Sequence, residues 1–274
     1  MVIAGLLLAN VFPVMAGTTP AKPKLVLQPE ITLATTTSTQ DSGLLDVLLP
    51  AFYKKTKVKV KVIAVGTGQA IELGKKGDAD VLLVHARKSE DQFMKDGYGY
   101  KAWDVMYNQF YIVGPASDPA HISGVTKAAD AFKKIAASGA KFVSRGDNSG
   151  THTKEKSIWD KAGVKPEGSW YISAGQGMGE TLTMAGEMGA YTITDEATFL
   201  TNKTGLKVLV KGDSVLFNPY GIIEVKGNKR HASVNEFIWF MISPQGQKLI
   251  GDYGKAKYKK GLFVPNAKKR PAVK

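Results

Sequence analysis

Four stretches of the chain place hydroxyls and glycines where an apolar strand pattern gives way to a helical one. They are residues 35–43 (TTTSTQDSG), 66–70 (GTGQA), 144–151 (SRGDNSGT) and 175–181 (GQGMGET). A helix start leaves its first N–H groups without intrahelical partners and carries partial positive charge. Ser and Thr hydroxyls add further donors, and such a set suits an anion. One such turn is ordinary helix capping; four in one chain point to a shared anion site. Arg145 is the sharpest residue among them. Its guanidinium stays charged and offers planar donors to an oxyanion. Ser149, Gly150 and Thr151 would donate from the adjoining helix start. Asp147 is expected to accept from Arg145 and hold it in place.

Covalent chemistry finds less support. Gly146-Asp147-Asn148-Ser149-Gly150 resembles a serine-protease nucleophile loop with one extra residue, and Asp147 breaks the Gly-x-Ser-x-Gly pattern. Ser149 with His152 keeps a secreted serine hydrolase as an alternative. The four histidines, His85, His121, His152 and His231, form no His-Glu-x-x-His pair. There is no phosphate-binding P-loop, and residues 175–180 lack the last glycine of Gly-x-Gly-x-x-Gly. The chain has no cysteine, which excludes disulfides, zinc–thiolate sites, iron–sulfur clusters and cysteine nucleophiles. No catalytic residue, metal site or cofactor is expected.

The elements that must carry these turns alternate. Residues 31–34 read as a strand, and Leu44, Leu45, Leu48, Leu49 and Phe52 have helical spacing, with a kink expected at Pro50. Residues 58–65 alternate as a half-buried strand, 69–76 read as a helix, and 81–84 as a strand covered on both faces. A second cycle follows: strands at 105–113, 141–144, 190–194, 207–210 and 220–225, and helices at 126–137, 150–162, 177–188 and, at the end, 233–253. This alternation predicts α/β architecture with largely parallel sheets. The count exceeds one small sheet and fits two α/β lobes with crossovers near residues 108–114 and 218–223. Lobe I is then 28–111 plus 219–254, and lobe II is 112–218.

Composition places the ends apart from this body. The chain has 274 residues, 43% apolar, with 37 basic against 24 acidic residues and a formal charge of +13. Eight of the basic residues and no acid fall in 255–274; without them the excess is only five. The segment reads as a solvated basic tail, and no aromatics interleave with basic residues to suggest nucleic-acid binding. A nucleic-acid or adhesion module working through this tail is the remaining alternative. Residues 2–16 carry no charge and are too short to span a bilayer. With the polar stretch that follows, 1–27 reads as a signal peptide and linker, which implies export to the periplasm.

Five segments carry a resemblance: ATTTSTQDSGLLDVLLPAF, KVIAVGTGQAIELGKKGDADVLLVHA, FVSRGDNSGTHTKE, WYISAGQGMGETLTMA and NPYGIIEV. Spread over residues 31–253, they resemble the periplasmic tungstate-binding proteins of ABC-type importers. The loop from Arg145 to Thr151 is also similar to the anion loop of phosphate-binding proteins. The resemblance implies a type II periplasmic binding protein fold, two α/β lobes joined by two crossover strands with a ligand cleft between them. It implies oxyanion-binding roles for Thr36, Thr37, Ser38, Thr67, Arg145, Ser149, Gly150 and Thr151, with Gly177 and Met178 as backbone donors. It also implies a monomer that hands tungstate, or molybdate, to a membrane permease. Tungstate and molybdate are proton-free dianions at neutral pH, so a donor-only site suits them. Monohydrogen phosphate wants an acceptor, which the first, second and fourth turns do not clearly offer; with Asp147 nearby, phosphate stays an alternative ligand.

Overall fold

A computed structural model describes residues 26–271. The expected leader therefore lies, but for its last two residues, outside the described residues. The chain begins with β1 (Glu30–Thr36), α1 (Thr37–Asp41), α2 (Leu45–Thr56), β2 (Lys59–Val65), α3 (Thr67–Lys76), β3 (Val81–Val84) and α4 (Arg87–Lys95). The long β4 (Gly99–Gly114) leads into α5 (Ala128–Ser138), β5 (Phe142–Ser144), α6 (Gly150–Ala162), β6 (Tyr171–Ser173), α7 (Met178–Met188), β7 (Thr192–Asp195), α8 (Glu196–Thr201) and β8 (Lys207–Val210). A 3₁₀ turn at Ser214–Leu216 opens β9 (Phe217–Val225), followed by α9 (His231–Ile242), α10 (Pro244–Asp252), α11 (Lys255–Tyr258) and β10 (Val264–Lys269). Pro50 sits inside α2, which continues through it to Thr56.

The main sheet runs in the order β10-β4-β9-β3-β1-β2, and β7 and β8 also pair with β4. β1 is parallel to β2 and β3, as expected. The other pairings of this sheet are antiparallel, which corrects the expectation of largely parallel sheets. The cause is the path of the chain: β4 carries it out to a second lobe and β9 carries it back, so the two long strands must oppose each other. From Gly99 to Gln109, β4 pairs with β9; from Phe110 to Gly114 it pairs with β7 and β8. One strand thus serves both lobes.

Each lobe has its own core. In the first, Ile31, Leu33, Leu48 and Phe52 pack against Phe237 and Phe240 of α9. In the second, Phe132, Phe142 and Trp159 form an aromatic cluster with ring centroids 4.2–5.2 Å apart.

The basic segment 255–274, expected as a solvated tail, is built into the fold through Arg270. β10 pairs antiparallel with β4, and Leu262 and Phe263 are buried in the first core. Arg270 donates to the fully buried Glu90 at 2.7 Å and also pairs with Asp91. Charge alone misleads here because the lysines of β10 point outward while the strand backbone completes the sheet edge.

Candidate functional site

The first three turns meet where the lobes face each other, and the fourth is joined to the third by the Gly175 amide, which donates to the Arg145 carbonyl at 2.8 Å. Thr36 ends β1 and caps α1, its hydroxyl accepting from the Thr39 amide. Thr67 opens α3 behind Gly66. Across the cleft, Arg145 follows β5, and Ser149 caps α6 by accepting from the His152 amide at 3.2 Å. The lobes touch through these groups directly. Arg145 Nη2 donates to Thr37 Oγ1 at 3.2 Å, and the Gly150 amide donates to Thr67 Oγ1 at 2.9 Å. The approach at Gly150 is close: a Cβ there would lie 3.1 Å from Thr67 Oγ1 and 3.2 Å from the His85 ring. Glycine is what lets α6 come this near.

The cluster is buried and rich in donors. Arg145 is 2% exposed, and Thr36, Ser38, Thr67, Ser149 and Thr151 are all buried. Thr37 is half-buried. Arg145 also donates to Asp147 Oδ2 at 2.5 Å, and the second Asp147 oxygen accepts from the Ser149 amide. That carboxylate is thus committed to holding the loop. Arg145 Nε and Thr151 Oγ1 are buried without a hydrogen-bond partner among the described residues. An unpaired buried donor costs about 1–3 kcal/mol, so these two groups are set for a bound acceptor. The buried Arg145 charge is surrounded by hydroxyls and helix-start amides. Such a set of donors suits a small multivalent oxyanion.

The fourth turn behaves differently. Gly177 caps α7, but no hydrogen bond joins it or Met178 to the cluster among the described residues. The Met178 side chain packs into the second lobe's core beside Val143 and Leu182. The Glu180 carboxylate lies over the helix start, 2.5 Å from where a Gly177 Cβ would stand. An acid in that place opposes an anion at the Gly177 and Met178 amides, although the turn itself is tied to the site, the Gly175 amide donating to the Arg145 carbonyl at 2.8 Å. The hydrolase pairing is not formed: His152 Nδ1 accepts from the Asn148 amide at 2.9 Å, so that nitrogen does not take the Ser149 proton, and Ser149 Oγ accepts from the His152 amide. Among the described residues no group of three or more His, Cys, Asp or Glu could hold a metal ion.

Residues 18–245 match the PBP superfamily domain. The chain belongs to that superfamily. It is 51% identical over 247 residues to the tungstate-binding protein TupA of Peptoclostridium acidaminophilum, covering 87% of this chain and 86% of that protein. The crystal structure of the tungstate ABC transporter from Geobacter sulfurreducens matches with a TM-score of 0.75 and 54% identity, over 82% of this chain and 98% of that one. The tungstate-binding protein TupA from Desulfovibrio alaskensis G20 matches with a TM-score of 0.72 and 44% identity, over 88% and 100% of the two chains.

Within this PBP-superfamily chain, three polar residues beside the cluster lie outside the four turns. His85, which follows β3, is buried, with Nε2 3.1 Å from Thr36 Oγ1 and 3.2 Å from Ser38 Oγ. Its Nδ1 lies 3.0 Å from Asn218 Oδ1, and its ring stacks on Tyr220 at 4.7 Å. Burial pushes the imidazole down to about 4, and the positive charges of Arg145 and Lys154 add to this against the Asn218 hydrogen bond. Asn218 Nδ2 in turn donates to Asn108 Oδ1 at 2.7 Å. The two asparagines are register partners on β9 and β4. Their signal in the sequence was an asparagine inside each apolar strand; for His85 it was only a position at a strand's C-terminal end.

Proposed function

We propose that this chain is an extracytoplasmic solute-binding protein that captures tungstate, and also molybdate, between its lobes. It delivers the ion as a monomer to the membrane permease of an ABC importer. The bound species is cargo, and no reaction takes place on it. The observation that carries this reading is the buried Arg145 cluster, with donors from both lobes and two buried donors still unpaired. The identity to named tungstate-binding relatives chooses among oxyanions. The proposed ligating set is Thr36, Thr37, Ser38, Thr67, Arg145, Ser149, Gly150 and Thr151, with Asp147 holding Arg145. The proposed lobes are 28–111 with 219–254, and 112–218, with β10 adding to the first through its pairing with β4. Export through a leader within 1–27 is part of the same proposal and places the protein in the periplasm.

The energetics are adequate. A charge-assisted hydrogen bond contributes about 1.5–3 kcal/mol net. Six give about 9–18 kcal/mol before ordering costs, against about 12 for nanomolar affinity. The test is calorimetric titration of the anion-stripped protein with tungstate, molybdate, sulfate and phosphate. The expected result is tight one-to-one tungstate binding, with sulfate and phosphate far weaker. Preference for phosphate would refute the tungstate assignment, and no binding to any of the four would refute the site.

A further inference from the structure

Three cavities open around the Arg145 cluster, and their linings differ in charge. The first, of about 370 Å³, lies between the start of α4 and one face of α6. His85 and Gly150 line it, and these two touch Thr36, Ser38 and Thr67 of the cluster. Lys88, Lys154 and Lys156 also line it, against a single carboxylate, Asp160. The second, of about 590 Å³, lies between α1 and α7, where Asp41, Glu180 and Glu187 line it without a basic residue. The third, of about 710 Å³, sets Glu72 and Asp147 against Lys76. A dianion approaching the cluster therefore meets one basic mouth, one acidic mouth and one of mixed charge.

The lysines of the first mouth are placed to act on a passing ion. Lys154 Nζ donates to the Val215 and Phe217 carbonyls at 2.7 and 3.2 Å, which fixes its charge beside the start of β9. Lys88 stands in the first turn of α4 and Lys156 in α6, both exposed, and Lys156 Nζ donates to Asn148 Oδ1 at 3.2 Å. At the second mouth, the Asp41 carboxyl is pushed up by partial burial and then by the charge of Glu180 across the cleft. We propose that the oxyanion enters and leaves by the lysine-lined mouth between α4 and α6, with Lys88 and Lys156 steering it past His85 and Gly150 to the cluster. This rests on the oxyanion reading above and adds the route. A cleft lined by one sign of charge raises the arrival rate of the opposite charge by about 10–10³. Charges at a rim act on arrival, while release is governed by the bonds that the buried cluster makes.

Rapid mixing with radiolabelled tungstate, followed by filter capture of the protein, gives the association rate; a chase with unlabelled tungstate gives the release rate. Lys88→Glu with Lys156→Glu should lower association by about tenfold at low ionic strength, and the difference should fade at high salt. The control is Lys59→Glu with Lys61→Glu, which changes net charge equally on exposed residues of β2. These stand about 13–20 Å along the strand from Val65, beyond the screening length of about 10 Å at 0.1 M salt, and should leave the rate within about twofold. Equal slowing by the control pair overturns the local steering. Plugging separates a route from a field. Ser157→Trp, or Ser89→Trp from the opposite wall, should slow association and release alike and leave the dissociation constant within about twofold, since an obstructed path cannot move an equilibrium. Thr183→Trp, in the acidic mouth, should change neither rate. Plugged variants that melt and exchange tungstate as the wild type does overturn the route, as does slowing by Thr183→Trp instead. A wild-type protein that takes up no tungstate ends the functional reading; normal uptake at rates unmoved by these variants ends the route alone.

Discussion

Arg145→Ala removes the buried positive charge of the cluster. The guanidinium is 2% exposed, so water does not screen it as it would a surface charge. One amino group reaches Thr37 across the lobes and Asp147 on its own loop, while Nε has no partner. Two charge-assisted bonds to a bound dianion contribute about 3–6 kcal/mol. Their loss should weaken tungstate binding by about 10²–10⁴-fold. The variant also strands Asp147 as an uncompensated negative charge beside the ligand. Arg145→Ala with Asp147→Ala should therefore bind about tenfold tighter than Arg145→Ala alone, although it lacks more of the native loop. Displacement calorimetry on the wild type and the three variants measures the cycle, and thermal melts confirm that each is folded. Tungstate affinity within about threefold of wild type in Arg145→Ala would refute the site; a double variant weaker than the single would refute the role given to Asp147.

Gly150→Ala sets a methyl 3.1 Å from Thr67 Oγ1 and 3.2 Å from the His85 ring, so the lobes cannot close fully; affinity should fall by at least about tenfold with little change in melting temperature, and unchanged affinity would refute the closure argument. Removing residues 255–274 deletes the buried Leu262 and Phe263, whose packing contributes about 1.5–3 kcal/mol each, and leaves Glu90 without Arg270; a drop of about 10 °C or more in melting temperature is expected, and a shift under about 2 °C would return the segment to a dispensable tail. Burial pushes Glu90 up from its ordinary value near 4.5 to about 7, against the opposing Arg87 and Arg270 charges. The folded state then holds a proton that the unfolded chain has released between those pH values, so stability falls as pH rises through that window and is level above it. Glu90→Gln should remove that slope, and equal pH dependence of denaturant midpoints in variant and wild type from pH 5 to 8 would contradict it.

The elements legible in the sequence are those whose apolar residues obey one period. Val81–Val84 is buried on both faces and reads as a continuous run, and α6 begins after the cap that its Ser149 announces. α4 escaped because its sequence, RKSEDQFMK, buries only Glu90 and Phe93. A buried glutamate gives no apolar signal, since it is held by an arginine 180 positions away. β10 escaped for a related reason: its residues are mostly exposed, and what makes it a strand is the β4 edge it completes. Local pattern reports a residue's own burial and is blind to a backbone that only fills another strand's hydrogen bonds.

The same limit divides the site. Its donors sit at helix starts, where residue type and position coincide, so Thr36, Thr67, Arg145 and Ser149 could each be picked out singly. Which turns converge depends on how β4 and β9 set one lobe against the other, and α7 shows the consequence. Its Gly-rich start has the right composition and is tied to Arg145 through the Gly175 amide, yet Glu180 lies over Gly177. The polar groups behind the turns are less legible still. His85 follows β3, Asn108 and Asn218 stand on β4 and β9, and none carries a motif. They meet only after the crossover strands pair. The donors that could hold an oxyanion are therefore local features, whereas the groups that pack behind them come together only through contacts between strands.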